Sequence, residues 1–445
     1  GEEIRASIIS YCKSKKYRAR FGFAFKHEIL QKYNQLTSEE TLQRNIDTNF
    51  NAQKWVDSLI DNAIRLNASD IHIERLESGL QTRLRIDGIM TNKKIHNFDE
   101  SIISNIYVRI KVISEMDISE TRKPQDGKIS NYQYNGSYYD LRVSTVNTVL
   151  GEKVVMRVFN KSSKAKTFKE LGFSEKETKK IKKMLKSQNG IIYMGGATGS
   201  GKTTTLYTMI NAINSDDVNI YTIENPVEKT VESINQIQIN PLAGIDYPST
   251  LRALLRQDPD VIVVGEIRDT ETADLSIRAS LTGHLVMSTI HANSALDLIN
   301  RLLDMKVKPY LISASSLGFL SQKLVRLLCP HCKQKIKELN LHEKAWIKEL
   351  DKQYNLKSMG INVEDGVFYR PTGCKYCFNG YKGRTAVVEI IEVTDKIKKL
   401  ISEKADLNAI KKQALTEGFK PMAINGLIKA LKGETSIKEV AKQLN

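Results

Sequence analysis

Apolar residues in the first third of the chain predict an α+β domain over residues 51–160. Residues 51–66 carry apolar side chains at helical intervals, namely Trp55, Leu59, Ala63 and Leu66. Downstream the period becomes two, as in strands, at Ile71 and Ile73, at Leu84 and Ile86, and at Val154, Met156 and Val158. Asn135-Gly136 separates two tyrosine-rich runs, which predicts a β-hairpin.

The middle of the chain predicts a mostly parallel sheet covered by helices. Short apolar runs alternate there with helix-like segments, and the runs are Ile191–Met194, Asn219–Ile223, Val261–Val264 and Leu285–Ile290. We predict a helix over Thr204–Ile213 after the first run, and further amphipathic helices near the C-terminus over Ile397–Leu407 and Ile424–Leu431.

These patterns divide the chain into six parts. They are a tail or remnant of an upstream domain (1–50), the α+β domain (51–160), a lysine-rich linker (161–189), an α/β core (190–328), a four-cysteine subdomain (329–384) and a helical C-terminal region (385–445). The linker lysines are typical of a solvated surface, and a phosphate- or lipid-binding stripe is the alternative.

Composition narrows the class of protein. The 445 residues include 41% apolar and 27% charged side chains, which excludes a wholly disordered or fibrous chain. A net charge of +16 favours anionic partners without choosing among nucleotide, nucleic acid and acidic membrane. No apolar run approaches the roughly 20 residues that cross a bilayer. Five cysteines are too few for a disulfide scaffold, so we expect a cytoplasmic protein. The chain begins with Gly1, and we expect that an N-terminal piece is missing.

A phosphate-binding loop is the strongest chemical signal. The segment Gly196-Ala197-Thr198-Gly199-Ser200-Gly201-Lys202-Thr203, followed by Thr204, fits the pattern G-x-x-x-x-G-K-[ST] between a predicted strand and a predicted helix. Its backbone N–H groups would surround phosphate oxygens of ATP at the helix N-terminus. Lys202 would neutralise the β- and γ-phosphates, and the Thr203 hydroxyl would bind Mg²⁺.

Three other strands are predicted to end in functional side chains at the same sheet edge. Glu224, Glu266 and His291 each follow an apolar run, and parallel strands gather their carboxyl ends at the ligand-binding edge. We assign Glu266 to orient and deprotonate the attacking water, Glu224 to water or Mg²⁺, and His291 to the γ-phosphate. His284 lies seven residues before His291, about 20 Å away along a strand, so both cannot contact one phosphate. Gly265 stands where many P-loop enzymes have a metal-binding aspartate.

Four cysteines form two C-x-x-C pairs, Cys329 with Cys332 and Cys374 with Cys377. Four thiolates at this spacing are typical of a closed, structural Zn²⁺ site. A disulfide or free thiols are the alternatives, and His331 is a candidate substitute ligand. Cys12 stands apart from the pairs.

From Trp55 to the C-terminus the chain resembles the secretion ATPase superfamily, whose branches include the type II secretion ATPases (GspE) and the type IV pilus assembly ATPases (PilB). The motifs follow the family order: Ser69–Glu74 and Arg83–Gly88, the loop Gly196–Thr203, the Asp box Thr222–Glu228, the Walker B region Arg256–Asp269 without its aspartate, and the His box Thr282–His291. One departure is Asn225, where the Asp box normally has aspartate.

The resemblance implies a hexameric ATPase with a RecA-like P-loop domain and ATP bound between that domain and the N-terminal domain. By motif position, arginines that complete the nucleotide site would be Arg142, Arg157, Arg252 and Arg256. It further implies a peripheral inner-membrane location and a platform-protein partner, with assembly of a pilus or secretion pseudopilus favoured over retraction because the cysteine pairs are present. A nucleic-acid translocase and a small-molecule kinase with a zinc-bearing lid are the other functions that the residues allow, and both are less well supported.

Overall fold

The computed structural model describes residues 50–161, 165–364 and 366–444. The predicted tail or remnant (1–50) therefore lies outside the described residues, apart from Phe50. Among the described helices, none combines the length and the apolar character needed to cross a membrane.

The N-terminal domain is an antiparallel sheet with two helices packed on one face. Its elements in chain order are α1 (Ala52–Arg65), β1 (Ala68–Leu76), β2 (Gly79–Ile86), β3 (Ile89–Met90), β4 (Lys94–His96), α2 (Glu100–Ile113), β5 (Gln125–Tyr134), β6 (Ser137–Thr148) and β7 (Gly151–Asn160). The strand order is β3-β2-β1-β7-β6-β5, with β4 also paired to β2. The predicted α+β pattern over these residues is confirmed.

Alternation along the strands gives this domain its core. Ile71 and Ile73 are fully buried on the helix side of β1, while Asp70 and Glu74 lie on the other side among charged groups. The predicted hairpin is confirmed: Asn135 and Gly136 have φ of 46° and 76°, which is the left-handed pair of a type I′ turn between β5 and β6.

The segment predicted as a lysine-rich linker contains two helices, α3 (Phe168–Leu171) and α4 (Glu175–Leu185). Its lysines are mostly exposed, as expected, but Ile181, Met184 and Leu185 are buried against the second sheet. The apolar side of α4 thus belongs to the core of the next domain. Burial of each of these side chains stabilises that packing by about 1.5–3 kcal/mol.

The second sheet carries the predicted strands. Its part of the chain contains β8 (Gly190–Gly195), α5 (Lys202–Asn211), β9 (Ile220–Glu224), β10 (Asn235–Gln238), α6 (Tyr247–Leu254), β11 (Val261–Val264), α7 (Thr270–Leu281), β12 (Leu285–Ile290), α8 (Ala295–Asp304), α9 (Pro309–Ser315) and β13 (Ser316–Leu328). The four predicted runs are confirmed as β8, β9, β11 and β12, and α5 begins two residues earlier than predicted.

Strand order in this sheet is β10-β9-β11-β12-β8-β13, followed by a strand from far downstream, and all pairs are parallel except the last. Helices cover both faces of the sheet. Alternate residues of β8 point to opposite faces and therefore pack against different helices. Ile191 and Tyr193 pack against the helices α6 to α9, and Ile192 and Met194 pack against α3, α4 and α5.

The rest of the chain continues this architecture. It comprises β14 (Gln334–Ile336), α10 (Leu341–Tyr354), β15 (Phe368–Arg370), β16 (Tyr381–Glu392), α11 (Asp395–Ser402), α12 (Leu407–Thr416), α13 (Met422–Leu431) and α14 (Ile437–Leu444). β16 is the antiparallel edge strand of the second sheet, beyond the predicted core of 190–328. The helix predicted over Ile397–Leu407 is wrong in its end: α11 stops at Ser402, and Lys404 takes a φ of 55°.

Candidate functional site

A cleft of about 850 Å³ separates the two domains. One wall is the glycine-rich loop 196–203 with the strand ends of the second sheet, and the other wall comes from β1, β2 and β7 of the N-terminal domain. A larger cavity of about 1290 Å³ lies within the N-terminal domain beside α1, but none of the site residues predicted from the sequence lines it. The cleft is therefore the candidate functional site.

The glycine-rich loop leaves β8 and turns into α5. Gly199 and Gly201 have φ of 78° and 87°, conformations that other residues rarely adopt. A side chain at Gly196 would have its Cβ 2.4 Å from the Ser200 hydroxyl, so the loop closes only with glycine there. The loop thus presents backbone N–H groups at the positive end of α5, an arrangement that can bind an anion such as phosphate.

Lys202 points back into the loop. Its ammonium group donates to the carbonyls of Gly196 (2.5 Å) and Ala197 (3.1 Å). Burial lowers the pKa of Lys202, and the nearby Glu266 carboxylate only partly offsets that effect. A bound phosphate would supply further negative charge to this half-buried cation. Thr203 and Thr204, the first-turn threonines, are exposed on the cleft.

Gln322 of β13 holds the loop from the side, and sequence reasoning missed it. Its buried amide donates to the Ser200 carbonyl at 2.7 Å and accepts from the Thr205 hydroxyl at 2.8 Å. Because both ends of the amide are used, Gln322 fixes the loop and the first turn of α5 in one arrangement. A single glutamine within an apolar strand was the only signal available from the sequence.

Glu266 lies directly beyond β11 and contacts two cationic or basic side chains. Its Oε2 accepts from Arg268 at 2.6 Å, and its Oε1 lies 2.9 Å from His291 Nε2 at the end of β12. The carboxylate is mostly buried, whereas both partners are exposed. The structure thus brings together Glu266 and His291, which the sequence predicted to meet at this edge. Such a carboxylate can orient a water and accept its proton.

Glu224 occupies the end of β9, and its carboxylate accepts more hydrogen bonds than that of Glu266. Its Oε1 accepts from Thr222 (2.7 Å) and Gln236 (3.0 Å), and its Oε2 accepts from Tyr207 (2.6 Å). Three donors satisfy most of its accepting capacity, so this carboxylate is a fixed negative charge facing the cleft. Asn225, the departure from the Asp box, also lines the cleft and forms a cis peptide bond with Pro226.

Gly265 has no room for a side chain. A Cβ there would lie 2.7 Å from the Ile223 carbonyl and 3.2 Å from the Tyr247 hydroxyl, while the Gly265 N–H donates to that same carbonyl. The close approach of β9 and β11 therefore excludes a metal-binding aspartate at this position.

We expect Gly265→Ala to lower both stability and any activity of the cleft. The added methyl must displace backbone, which costs about 1–3 kcal/mol and moves Glu266 next to it. Melting temperature and turnover report the two effects. Gly244→Ala is the control: Gly244 has a φ of 73° but open space around it, so only stability should fall. Wild-type turnover in Gly265→Ala would contradict the steric explanation.

The two histidines of the His box are separated, as predicted. His291 lines the cleft, whereas His284 precedes β12 at the opposite edge and its Nδ1 lies 2.7 Å from the Ala279 carbonyl. His284 is therefore part of the turn between α7 and β12.

The arginines implied by the resemblance fall into two groups. Arg157 lines the cleft, held by the buried carboxylate of Asp70 at 3.0 Å. Arg142 lies beside the cleft and donates to Glu228 and to the Val227 carbonyl, both at 3.4 Å, so it links the two domains.

Arg252 and Arg256 do not reach the cleft of their own chain. Arg252 forms an ion pair with Glu271, and Arg256 donates to the Arg252 carbonyl at 3.0 Å. Their side chains lie on α6 and just beyond its end, away from the residues that line the cleft.

Several cleft residues were missed from the sequence as site residues: Ser69, Asp70, Arg85, Tyr247, Thr289 and Arg384. Arg85 adds positive charge to the wall opposite the loop, and Arg384 adds positive charge from β16 of the second sheet. The motif segments Ser69–Glu74 and Arg83–Gly88 were noticed, but only the docking of the domains reveals which side chains face the cleft.

The four paired cysteines meet in space. Their sulfur atoms all lie within 4.8 Å of one another, and the nearest pairs are separated by 3.6 Å (Cys374–Cys377), 3.7 Å (Cys332–Cys377) and 3.8 Å (Cys329–Cys374). Sulfurs bound tetrahedrally to Zn²⁺ at about 2.3 Å are about 3.8 Å apart, so the donor set fits that ion. The distances exclude a disulfide, and His331 lies outside the group with its ring tilted against that of Tyr376, 4.9 Å between the ring centres.

The chain has a mixed α/β fold that is shared with solved ATPase structures. The structure resembles the ATPase DotB of Legionella pneumophila, with a TM-score of 0.64 at 19% identity and coverage of 87% of this chain and 94% of DotB. It also resembles the pilus retraction motor PilT solved with ADP, with a TM-score of 0.56 at 24% identity and coverage of 87% and 96%.

The chain belongs to the Type II/IV secretion system protein family, whose model matches residues 47–442. It is 41% identical over 387 residues to the type IV pilus assembly ATPase PilB of Pseudomonas aeruginosa, covering 87% of this chain and 66% of that protein. It is 41% identical over 392 residues to the type II secretion system ATPase E of Vibrio cholerae, covering 87% and 74%. The chain spans just under two thirds of the length of the first of these relatives.

Proposed function

We propose that this protein is an ATPase motor that powers assembly of a type IV pilus or a type II secretion pseudopilus. The observation that carries the proposal is the cleft: a glycine-rich loop with Lys202, carboxylates at neighbouring strand ends, and arginine from a second domain all face one space. The names of the relatives, which are pilus assembly and type II secretion ATPases, support the same function.

In this proposal the second sheet is a RecA-like P-loop domain, and loop 196–203 binds the phosphates of ATP. Lys202 exchanges its two loop carbonyls for β- and γ-phosphate oxygens. The Thr203 hydroxyl would hold Mg²⁺, and Gly265 would offer this ion no carboxylate. Mg²⁺ neutralises charge on the phosphates when bound.

Glu266 is the proposed base for the attacking water. Its contacts with Arg268 and His291 hold the carboxylate at the γ-phosphate end of the loop. The proton of the water passes to Glu266 as the new oxygen–phosphorus bond forms and the bond to ADP breaks. His291 contacts the γ-phosphate from the neighbouring strand, and Glu224, held by its three donors, would stand ready for Mg²⁺ or water.

The N-terminal domain completes the site. Arg157, oriented by Asp70, supplies positive charge opposite the loop, and Arg142 holds the two domains together across Glu228. ATP binding would therefore pull the domains together, and loss of the γ-phosphate would release them. This alternation is the proposed source of mechanical work.

Arg252 and Arg256 support a multi-subunit arrangement. Because neither lines the cleft of its own chain, their proposed place is the cleft of a neighbouring copy, as in the homo-hexamer that the resemblance implies. The proposed location is the cytoplasmic face of the inner membrane, with a platform protein as partner. The four cysteines would hold a structural Zn²⁺ ion, which has no free coordination position for catalysis.

A comparison of two activators tests this function. We expect the protein to release phosphate from Mg-ATP, and the cytoplasmic domain of the platform protein to raise the rate several-fold. Double-stranded DNA at the same concentration should have no effect. Stimulation by DNA that declines steeply with salt would instead support the nucleic-acid translocase. Absence of any ATP hydrolysis would overturn the proposal altogether.

A further inference from the structure

Tyr247 is a polar residue of the cleft to which the function above gives no role. It is the first residue of α6, after the N-cap Asp246, whose side chain accepts from the Ser249 N–H at 2.8 Å. The ring is half-buried and packs against the core beneath α6 and α7. The helix start thus positions the backbone of Tyr247, and the core positions its ring. The hydroxyl lines the cleft.

The hydroxyl lies where β9 and β11 end. The Cβ position of Gly265 is 3.2 Å from the Tyr247 hydroxyl oxygen and 3.3 Å from the Glu224 Cα. A side chain at residue 265 would therefore fill the space that this hydroxyl faces. The next residue is Glu266, the proposed base, and Tyr247, Glu224 and Glu266 all line the same cleft.

Within the part of the chain that the structure describes, this hydroxyl forms no hydrogen bond with another protein group. The Glu266 carboxylate is similar: Oε1 receives no well-aligned hydrogen bond from the described residues, although His291 lies nearby. Tyr247 and Glu266 thus each bring to the cleft a polar atom without a protein hydrogen bond, and a water molecule is the ordinary way to satisfy both.

The Tyr247 hydroxyl keeps its proton at neutral pH. Burial, together with the negative charges of Glu266 and Glu224, raises the pKa of Tyr247 to about 12, while Arg268 acts in the opposite direction. A neutral phenol can both donate and accept a hydrogen bond. It therefore suits the binding of a water beside a carboxylate, where a second negative charge would be repelled.

We propose that Tyr247 positions the water that attacks ATP. This inference rests on the proposed function, and it adds a group outside the motifs by which the chain resembles its family. The hydroxyl and the Glu266 carboxylate hold one water between them. Glu266 accepts the proton of that water as its oxygen bonds to the γ-phosphorus, and Tyr247 exchanges no proton with it.

The test is Tyr247→Phe, which keeps the ring and removes only the hydroxyl. We expect kcat for ATP to fall about tenfold, because one hydrogen bond to the reacting water is lost. KM and the Kd of a fluorescent ATP analogue should stay within about twofold, since the phosphates are bound by the loop. The control is Tyr221→Phe: Tyr221 is also half-buried against the same core but does not line the cleft, so its kcat should not change.

Each outcome decides one question. A wild-type kcat in Tyr247→Phe overturns the water-positioning role and leaves the proposed ATPase intact. An increase in KM and Kd with unchanged kcat also overturns it, because Tyr247 would then act in nucleotide binding. A wild-type protein that binds no ATP and releases no phosphate contradicts the proposed function itself.

Discussion

Replacing Glu266 with glutamine should leave ATP binding within about twofold of wild type and lower turnover about 100- to 1000-fold. Glutamine keeps the shape of the side chain and can still accept from Arg268, but it cannot take a proton from water. Single-turnover phosphate release and titration with a fluorescent ATP analogue separate the two effects. The contacts with Arg268 and His291 make the prediction specific, because they place this carboxylate beside the loop that holds Lys202.

Glu232→Gln is the matched control for this experiment. Glu232 is an exposed carboxylate in the loop before β10, outside the cleft, and its substitution should change neither binding nor turnover. Unchanged turnover in Glu266→Gln would reject the role of Glu266 as base and would direct attention to Glu224, the other strand-end carboxylate.

Replacing Cys374 with serine should release about one Zn²⁺ per chain and destabilise the protein strongly. Zinc bound by such sites contributes about 10–16 kcal/mol of apparent binding free energy in small metal-dependent domains, so its loss should unfold the region between the cysteine pairs. Metal analysis of the purified protein and thermal melting give the two readouts. We expect lower solubility as well, because the apolar residues packed around α10, α13 and α14 would become exposed.

Cys12→Ser provides the control, since Cys12 is the one cysteine outside the two pairs. It should keep both metal content and melting temperature. A full complement of zinc in Cys374→Ser would show that the four sulfurs do not act as one site, despite their separations of less than 4.8 Å.

The central sheet was predictable because its signal is local. Buried parallel strands are continuous apolar runs, so Val261–Val264 and Leu285–Ile290 were located to the residue. The meeting of Glu266 and His291 followed from topology alone, because parallel strands end at one edge. Both inferences need only the residues of each strand and the direction in which it runs.

The parts of the site that were not predicted from the sequence depend on contacts between distant segments. Gln322 holds the loop 122 residues before it, and β16 pairs with β13 across the whole cysteine region, with Arg384 opposite Arg326. The spacing of apolar residues within one segment gives no information about such distant pairings. Asp70 and Arg85 were visible as motif residues, but their place in the cleft depends on how the two domains dock. The domain boundaries drawn from the sequence stay predictions.

The strand β13 connects the glycine-rich loop with the cluster of four cysteines. Gln322 donates a hydrogen bond to the glycine-rich loop. Cys329 directly follows the end of the same strand, seven residues or about 23 Å beyond Gln322. Between these two residues β13 is paired along one side, with β16, because its pairing with β8 ends at Ser321. If the protein hydrolyses ATP as proposed, a displacement of the glycine-rich loop would reach the cysteine cluster through a single continuous strand.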